Sequence, residues 1–197
     1  MNEMIWIPGS AEDETSTNNH HHNDVSRNPD RWCISYRQLL DVHDHAARLF
    51  GEDYPEITMR DVCRDIIIPQ CQATGKSYAL SLNPQGLEIE VFCTHSWDGQ
   101  FYSFVHSIIS VFQSYIVKPN LWICAFALLQ EPTMVTVQKQ IGSEQDSLTE
   151  APFLQALRNA KIFCVVRNSN TDLYSRIWCV CEAMYAKNGD CIPCIPT

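Results

Sequence analysis

The sequence predicts an α/β protein whose parallel sheet is covered by helices on both faces. The first observation is the alternation of strand-like and helix-like segments that follows the turn Asn83-Pro84-Gln85-Gly86. The second is a pair of apolar runs, 121–127 and 161–166, that are typical of inner strands buried on both faces. Ligands bind to such sheets at the carboxyl ends of the strands, so we expect a functional site there.

Composition and charge narrow the class of protein. The chain has 197 residues, 45% hydrophobic and 19% charged, so most of it should fold around one dominant core. Its 14 Lys+Arg and 23 Asp+Glu give a net charge of −9. We therefore expect no binding to nucleic acid and no membrane partner. The longest apolar run, 121–129, is far shorter than the roughly 20 residues of a membrane span, and no signal peptide is visible, so we expect a cytoplasmic protein.

The chain divides into three predicted parts. Residues 1–30 are polar, contain His20-His21-His22 and predict a disordered tail. Residues 31–86 predict a small helical region, and residues 87–197 predict the α/β domain. We expect the helical region to pack against that domain, because its apolar stripe needs a partner surface.

The helical region contains two predicted helices. The first runs from Arg31 to Gly51 with apolar residues at three- and four-residue steps. The second begins at Thr58, where Thr58-x-x-Asp61 resembles a capping box, and is bent or ended by Pro69. On the first helix His43 and His45 flank Asp44, and two residues apart they face different ways, so we expect no metal shared between them.

The α/β part alternates in period. Leu87, Ile89, Val91 and Cys93 predict a strand, and a stripe from Phe101 to Ile116 predicts a helix. The later predicted elements are an optional edge strand with Met134, Val135 and Val137, a helix over 151–160, a helix with Ile177, Trp178, Cys181, Met184 and Tyr185, and a last strand over 191–195.

The sequence lacks the common enzyme signatures, and we expect few disulfides. The sequence contains no Gly-x-Gly-x-x-Gly, His-Glu-x-x-His or Gly-x-Ser-x-Gly motif, which argues against a resident dinucleotide cofactor. Most of the ten cysteines are predicted to be reduced, buried thiols. One spacing, Cys179-x-Cys181 followed by Cys191-x-x-Cys194, leaves open a metal or redox function.

One constellation resembles a known family. Leu157 to Ala160 ends a predicted helix, 162–166 is an apolar strand, and the next helix opens with Trp178-Cys179-Val180-Cys181-Glu182. This order and spacing resemble the Toll/interleukin receptor (TIR) domain, with Val91-Phe-Cys-Thr-His-Ser-Trp97 similar to that family's first strand and loop. The resemblance covers residues 87–197 and implies a three-layer flavodoxin-like fold. The family's last helix has no counterpart before the sequence ends.

The resemblance also implies an activity and a site. Many TIR-like domains cleave NAD between nicotinamide and ribose, and by resemblance Glu182 is the catalytic residue of such a glycohydrolase in stress, immune or cell-death signalling. The loop after the first strand is then expected to supply substrate-binding groups, as is Arg176 near the helix start. The loop residues are His95, Ser96, Trp97 and Asp98.

Two alternatives to catalysis stay open. Glu182 and Arg176 are also explained as ordinary solvated charges, and Trp97 as a rim residue. In that case the chain is a non-catalytic module that self-associates or binds a nucleotide. The third possibility, from another class, is the cysteine-rich metal or redox protein.

Overall fold

A computed structural model describes residues 24–133, 135–141, 151–166 and 192–194. Its strands are β1 (Ile34–Ser35), β2 (Val91–Thr94), β3 (Asn120–Ile123), β4 (Ile162–Val165) and β5 (Ile192–Cys194). Its helices are α1 (Tyr36–Phe50), α2 (Met59–Val62), α3 (Ile68–Thr74), α4 (Tyr78–Leu82), α5 (Phe101–Phe112), α6 (Cys124–Ala127), α7 (Val135–Ile141) and α8 (Pro152–Asn159). A π-helical turn, Cys63–Ile67, joins α2 to α3, and short 3-10 turns occupy Val25–Arg27, Pro29–Arg31 and Gly51–Glu56.

These strands form one open sheet in the order β1-β3-β2-β4-β5. The pairs β2–β3, β2–β4 and β4–β5 are parallel, and the short edge strand β1 runs antiparallel to β3. In the central strand β2, Cys93 lies opposite Ile123 on one side and opposite Cys164 on the other. The prediction of an α/β fold with a mainly parallel sheet is confirmed.

Both faces of the sheet are covered, because successive side chains of a strand point to opposite faces. Val91 and Cys93 belong to one hydrophobic core together with residues of α1, the π turn and α5. Phe92 belongs to a second core together with residues of α8, where its ring stacks on that of Trp122 with centroids 4.7 Å apart. The four residues of β2 are all buried, which explains the apolar composition of this strand.

Residues 31–86 share the first of these cores with the sheet. Ile34 of β1 pairs with Leu121 of β3, which joins the N-terminal region to the sheet through backbone hydrogen bonds. Ser35 then starts α1 with a capping box: its hydroxyl accepts from the Gln38 amide (3.1 Å), and its own amide donates to the Gln38 side chain (2.8 Å). The amphipathic stripe of α1 therefore lies directly against the sheet.

The folded part begins inside the segment expected to be a tail. Pro29 is buried, and its carbonyl accepts a hydrogen bond from the Trp122 indole at 2.9 Å. The Trp32 indole likewise donates to the carbonyl of Val25 at 2.8 Å. Residues 24–30 therefore pack on the protein, contrary to the expected boundary at residue 30, and residues 1–23 lie outside the described residues.

Two predicted strands are shorter than expected. Residues 87–90 lie outside the strand and bond to the N-terminal turn, since the Leu87 and Ile89 amides donate to the carbonyls of Arg31 and Asp30. The apolar run 121–127 is strand only to Ile123 and then forms the single helical turn α6. A short apolar run fits a buried strand and a buried helix equally well, so its periodicity does not separate them.

Three further boundaries differ from the predictions. Val135 and Val137 lie in helix α7 and not in an edge strand. The helix α5 ends at Phe112, and Ile116, expected on its apolar stripe, is fully exposed. The first helix begins at Tyr36, because Ser35 supplies its cap, and not at Arg31. The helix over 151–160 is confirmed as α8, whereas the helix expected around Trp178 lies outside the described residues.

Pro69 neither ends nor interrupts the second helix, because the π turn accommodates it. Proline has no amide to donate, and in a regular α-helix its ring collides with the carbonyl four residues earlier. Here the Ile68 amide donates to the carbonyl of Cys63, five residues earlier, which widens the helix just before Pro69. The helix then continues to Thr74 and ends at Gly75, whose φ of 66° is left-handed.

None of the helices in the described part of the chain combines the length and the apolar character needed to cross a membrane.

We predict that Asp61→Ala lowers the free energy of unfolding by about 1–2 kcal/mol at pH 7, because it removes half of a capping box. The Asp61 carboxylate accepts from the amide (3.0 Å) and the hydroxyl (2.6 Å) of Thr58. Burial raises the pKa of Asp61, but hydrogen bonds from Thr58 and the ion pair with Arg64 outweigh burial and leave this pKa lowered. The measurement is urea unfolding over a pH series.

The sign of the pH dependence follows from the lowered pKa. A carboxyl group of this kind stabilises the fold fully above its unfolded pKa of about 3.9, and the stabilisation is lost as the pH falls through the native pKa. The deficit of Asp61→Ala should therefore shrink below about pH 4. The control Asp65→Ala removes an exposed partner of Arg64 and should cost less than about 1 kcal/mol. A deficit that is the same at pH 7 and pH 3 would contradict the assignment.

Candidate functional site

The loop that follows the central strand β2 carries four of the residues singled out in the sequence. His95 and Ser96 are buried, with 4% and 6% of their surface exposed. Trp97 is half-buried and Asp98 is exposed. Because the loop starts where β2 ends, all four residues lie at the carboxyl edge of the sheet, where ligands bind in proteins of this class.

Backbone hydrogen bonds fix this loop to the start of α2. The Met59 amide donates to the carbonyl of Gly99, and the Arg60 amide donates to the carbonyl of Trp97, each at 3.0 Å. The Phe101 amide donates to the carbonyl of Ile57 at 2.8 Å. The position of Trp97 therefore depends on the same capping box that starts α2.

A cleft of about 750 Å³ opens beside Trp97. Three chain segments build it: the loop after β2, the helix formed by α2, the π turn and α3, and the residues that follow α6. Its lining comprises Arg60, Cys63, Arg64, Ile68, Pro69, Gln72, Trp97, Gln130, Glu131 and Pro132. The volume lies within the range of roughly 300–1,000 Å³ that is usual for small-molecule sites.

Two arginines supply the positive charge of the cleft, and both are ion-paired. Arg60 contacts one carboxylate oxygen of Asp98 through Nε (3.0 Å) and Nη2 (2.9 Å). Arg64 donates to Asp65 (2.6 and 2.7 Å) and to Asp61 (2.8 Å). The hydrogen bonds that Arg64 donates, first to Asp65 and then to Asp61, raise its pKa. An arginine has five N–H donors, so donors remain on both guanidinium groups for a ligand.

The cleft floor next to these charges is apolar and contains one thiol. Ile68 and Pro69 come from α3, and Cys63 comes from the π turn. Burial raises the pKa of Cys63 to about 12, so its thiol is protonated at neutral pH and is a poor nucleophile. The floor is therefore suited to the face of a flat ring rather than to covalent chemistry.

Gln130 fixes the third wall. It is 3% exposed, and its side-chain amide donates to the carbonyl of Cys124 at 3.3 Å. Glu131 follows it and accepts a hydrogen bond from the Thr136 hydroxyl. These contacts connect the wall to α6 and α7, both of which follow β3 in the chain.

His95 supports the cleft from below and does not line it. Its ring lies 6.0 Å from that of Trp97 and 5.4 Å from that of Phe104, and its Nε2 is 4.0 Å from the sulfur of Cys124. The structure thus brings Trp97 and Asp98 to the cleft and its rim, and places His95 and Ser96 in the protein interior.

The remaining predicted site residues lie outside the described residues. They are Glu182 and Arg176, with the Trp-Cys-x-x-Glu segment around the former. The chain leaves β4 at the same edge as the cleft, since the Val166 amide donates to the carbonyl of Thr94. Of the four cysteines in the zinc hypothesis only Cys194 is described. It lies in β5, opposite Cys164 of the parallel neighbour β4. Within the described ranges no three His, Cys, Asp or Glu side chains are grouped as metal ligands.

Several lining residues had no signal in the sequence. Arg60 and Arg64 follow a recognisable helix start at Thr58, so their helix was predictable although its position beside Trp97 was not. Gln130 and Glu131 fall in a polar stretch with no periodicity. Long-range packing, not a local motif, brings these residues to one cleft.

No protein-family model, curated protein or solved structure matches the chain.

Proposed function

We propose that this chain is a TIR-like protein that binds NAD in the cleft beside Trp97 and cleaves the bond between nicotinamide and ribose. The observation that carries the proposal is the cleft itself. It lies at the carboxyl edge of a parallel sheet and combines an aromatic ring with two guanidinium groups. These are the groups that a dinucleotide requires, because its bases stack on aromatic rings and its phosphates take N–H donors.

The strand order supports a flavodoxin-like arrangement. The four parallel strands lie in the order β3-β2-β4-β5. If β2 is counted as the first strand, this order is 2-1-3-4, which is the beginning of the doubly wound flavodoxin-like order. The chain adds β3 on one side of β2 and then adds β4 and β5 on the other side, so the strand order reverses at β2. Trp97 lies in the loop directly after this strand, where doubly wound proteins hold their ligands.

Each part of the cleft has a role in this proposal. Trp97 stacks on the nicotinamide or adenine ring, and Ile68 and Pro69 contact the opposite side of that ring. Arg60 and Arg64 donate to the diphosphate, either with unused N–H groups or by exchanging a carboxylate for a phosphate. The buried amide of Gln130 supports the wall between them.

The proposed reaction needs one carboxylate near the ribose. The bond from ribose C1′ to the nicotinamide nitrogen breaks, its electron pair stays with nicotinamide, and water adds to C1′ with loss of a proton. The leaving group is already cationic and needs no acid, while the oxocarbenium-like ribose is stabilised by a negative charge. By resemblance to the family that carboxylate is Glu182, in the segment between β4 and β5.

A second candidate function, self-association as a non-catalytic TIR-like module, is favoured by a different surface. Between α5 and β3, Ile116 is fully exposed and Val117 is 76% exposed, next to Tyr115 at 45%. Lys118 holds this loop by donating to the carbonyls of Phe112, Gln113 and Tyr115. Apolar side chains displayed on a fixed loop are typical of protein contact sites.

We predict that the purified chain releases nicotinamide from NAD and that Glu182→Gln abolishes this activity. The variant keeps the size of the side chain and removes the charge that stabilises the ribose cation. Loss of a transition-state charge contact of this kind costs roughly 100-fold or more in rate. The measurement is nicotinamide formation by chromatography at high protein concentration.

Glu88→Gln is the matched control, because Glu88 lies beside a separate polar pocket formed with Asn120, the first residue of β3. It should keep the parent rate. Turnover that survives Glu182→Gln would contradict the assigned carboxylate. NAD binding without turnover in the parent chain would favour the nucleotide-binding module, and neither binding nor turnover would favour the self-associating module.

We predict opposite effects for the two partners of the Arg60–Asp98 ion pair. Arg60→Met should weaken NAD binding about five- to tenfold, because an exposed charge contact is worth about 1 kcal/mol. Asp98→Asn should strengthen binding, because it releases Arg60 to the diphosphate. The measurement is the dissociation constant of NAD by calorimetry with the Glu182→Gln chain, which keeps the dinucleotide intact.

The matched control is the ion pair between Arg31 and Glu88, whose charged atoms are 3.4 Å apart. This pair does not line the cleft. Arg31→Met and Glu88→Gln should leave NAD affinity unchanged. Equal weakening by Arg60→Met and Asp98→Asn would show that the pair acts only by shaping the loop, and would contradict a direct contact with phosphate.

A further inference from the structure

A cluster of four aromatic rings connects α1, the 3-10 turn after it and α5, on residues that the proposed function does not use. His43 lies in α1, Tyr54 in the turn, and Tyr102 and His106 in α5. The ring of His43 is 5.3 Å from that of Tyr54 and 5.8 Å from that of His106, and the rings of Tyr102 and His106 are 4.1 Å apart.

Two buried polar atoms in this cluster have no hydrogen-bond partner among the described residues: Nε2 of His43 and the hydroxyl of Tyr54. A buried polar atom without a partner costs about 1–3 kcal/mol, so a native structure usually supplies one. The Tyr54 residue is only 5% exposed, whereas His106 and Tyr102 reach the surface. A small polar ligand can therefore enter from the side of α5.

Asp44 determines which nitrogen of His43 is available to that ligand. Its carboxylate lies 3.3 Å from Nδ1 of His43, and a carboxylate only accepts, so this contact favours the proton on Nδ1. Nε2 then carries a lone pair. A histidine oriented by a carboxylate on one nitrogen and open on the other is the usual form of a histidine that binds a metal ion.

The second histidine is suited to the same ion. The His106 ring lies 5.8 Å from the ring of His43 and is exposed at the surface, so the two imidazoles are close enough to face one ion. Burial, and then the charge of Asp44, raise the pKa of Tyr54. Its phenol therefore stays protonated and is suited to donate to a water on the metal instead of binding the metal itself.

We propose that His43 and His106 form a binding site for a divalent transition-metal ion that joins α1 to α5. Two imidazoles suit Zn²⁺, Ni²⁺ and Cu²⁺, with water at the remaining positions. The Tyr54 hydroxyl donates to one of these waters, which satisfies the second buried atom. The ion shares no residue with the cleft beside Trp97, so the site is independent of the proposed function.

The test is Ni²⁺ binding by the full chain carrying His20→Ala, His21→Ala and His22→Ala, which removes the competing N-terminal histidines. We expect one Ni²⁺ to bind in calorimetry and to raise the melting temperature. His43→Asn and His106→Asn should each weaken binding by more than tenfold. Asp44→Ala should weaken it roughly tenfold, the usual cost of losing a group that orients a metal ligand.

His45→Asn is the matched control, because His45 lies two residues from His43 on α1 and is exposed outside the cluster. It should leave the affinity unchanged. Because His106 is exposed, His106→Asn keeps the proposal testable if His43→Asn does not fold.

Three outcomes would overturn the proposal. The first is no Ni²⁺ binding by the background chain, and the second is binding that survives both histidine substitutions. The third is an absorption spectrum of the complex with the intense charge-transfer bands of thiolate ligands, which would assign the ion to cysteines.

Discussion

The fold depends on one constraint, the burial of β2 on both faces and the pairing of both its edges. A strand with no exposed face or edge needs apolar side chains on each side and a parallel neighbour at each edge. Val91 and Cys93 pack in the first core and Phe92 packs in the second. The backbone groups of β2 form hydrogen bonds with β3 and β4. Because β2 is packed on both faces and paired at both edges, the loop at its carboxyl end starts from a well-held position.

The cleft follows from what is attached at that position. The start of α2 bonds to the loop through Arg60 and Met59, and the helix then continues past Pro69 because the π turn widens it. Five of the ten lining residues come from the π turn and α3: Cys63, Arg64, Ile68, Pro69 and Gln72. A π turn carries a conformational cost and occurs often at functional sites. Here the π turn and α3 present one charged and four uncharged side chains to one space.

The sequence predicted those parts of the fold that depend on local patterns. The capping box of Thr58 and Asp61 and the buried strands around Phe92 and Phe163 were visible, because short-range chemistry or hydropathy determines them. The division of 121–127 into strand and helix was not visible, since a uniformly apolar run has no period.

Which side chains reach the cleft was harder to predict than the secondary structure. Trp97 was expected at the carboxyl edge from topology alone, and it lines the cleft. The burial of His95 depends on Phe104, which reaches it from another element. The contributions of Arg60, Arg64 and Gln130 arise only when three distant segments pack together, and no spacing in the sequence encodes that contact. Glu182 stays a prediction based on resemblance.

The most direct test of the central claim is amide hydrogen exchange of the Glu182→Gln chain with and without saturating NAD. Binding in the cleft should slow exchange in residues 59–72 and 96–100, which carry most of its lining. Residues 114–118, between α5 and β3, should exchange at the same rate in both samples. Slower exchange confined to residues outside the cleft, or no change at saturation, would contradict the account.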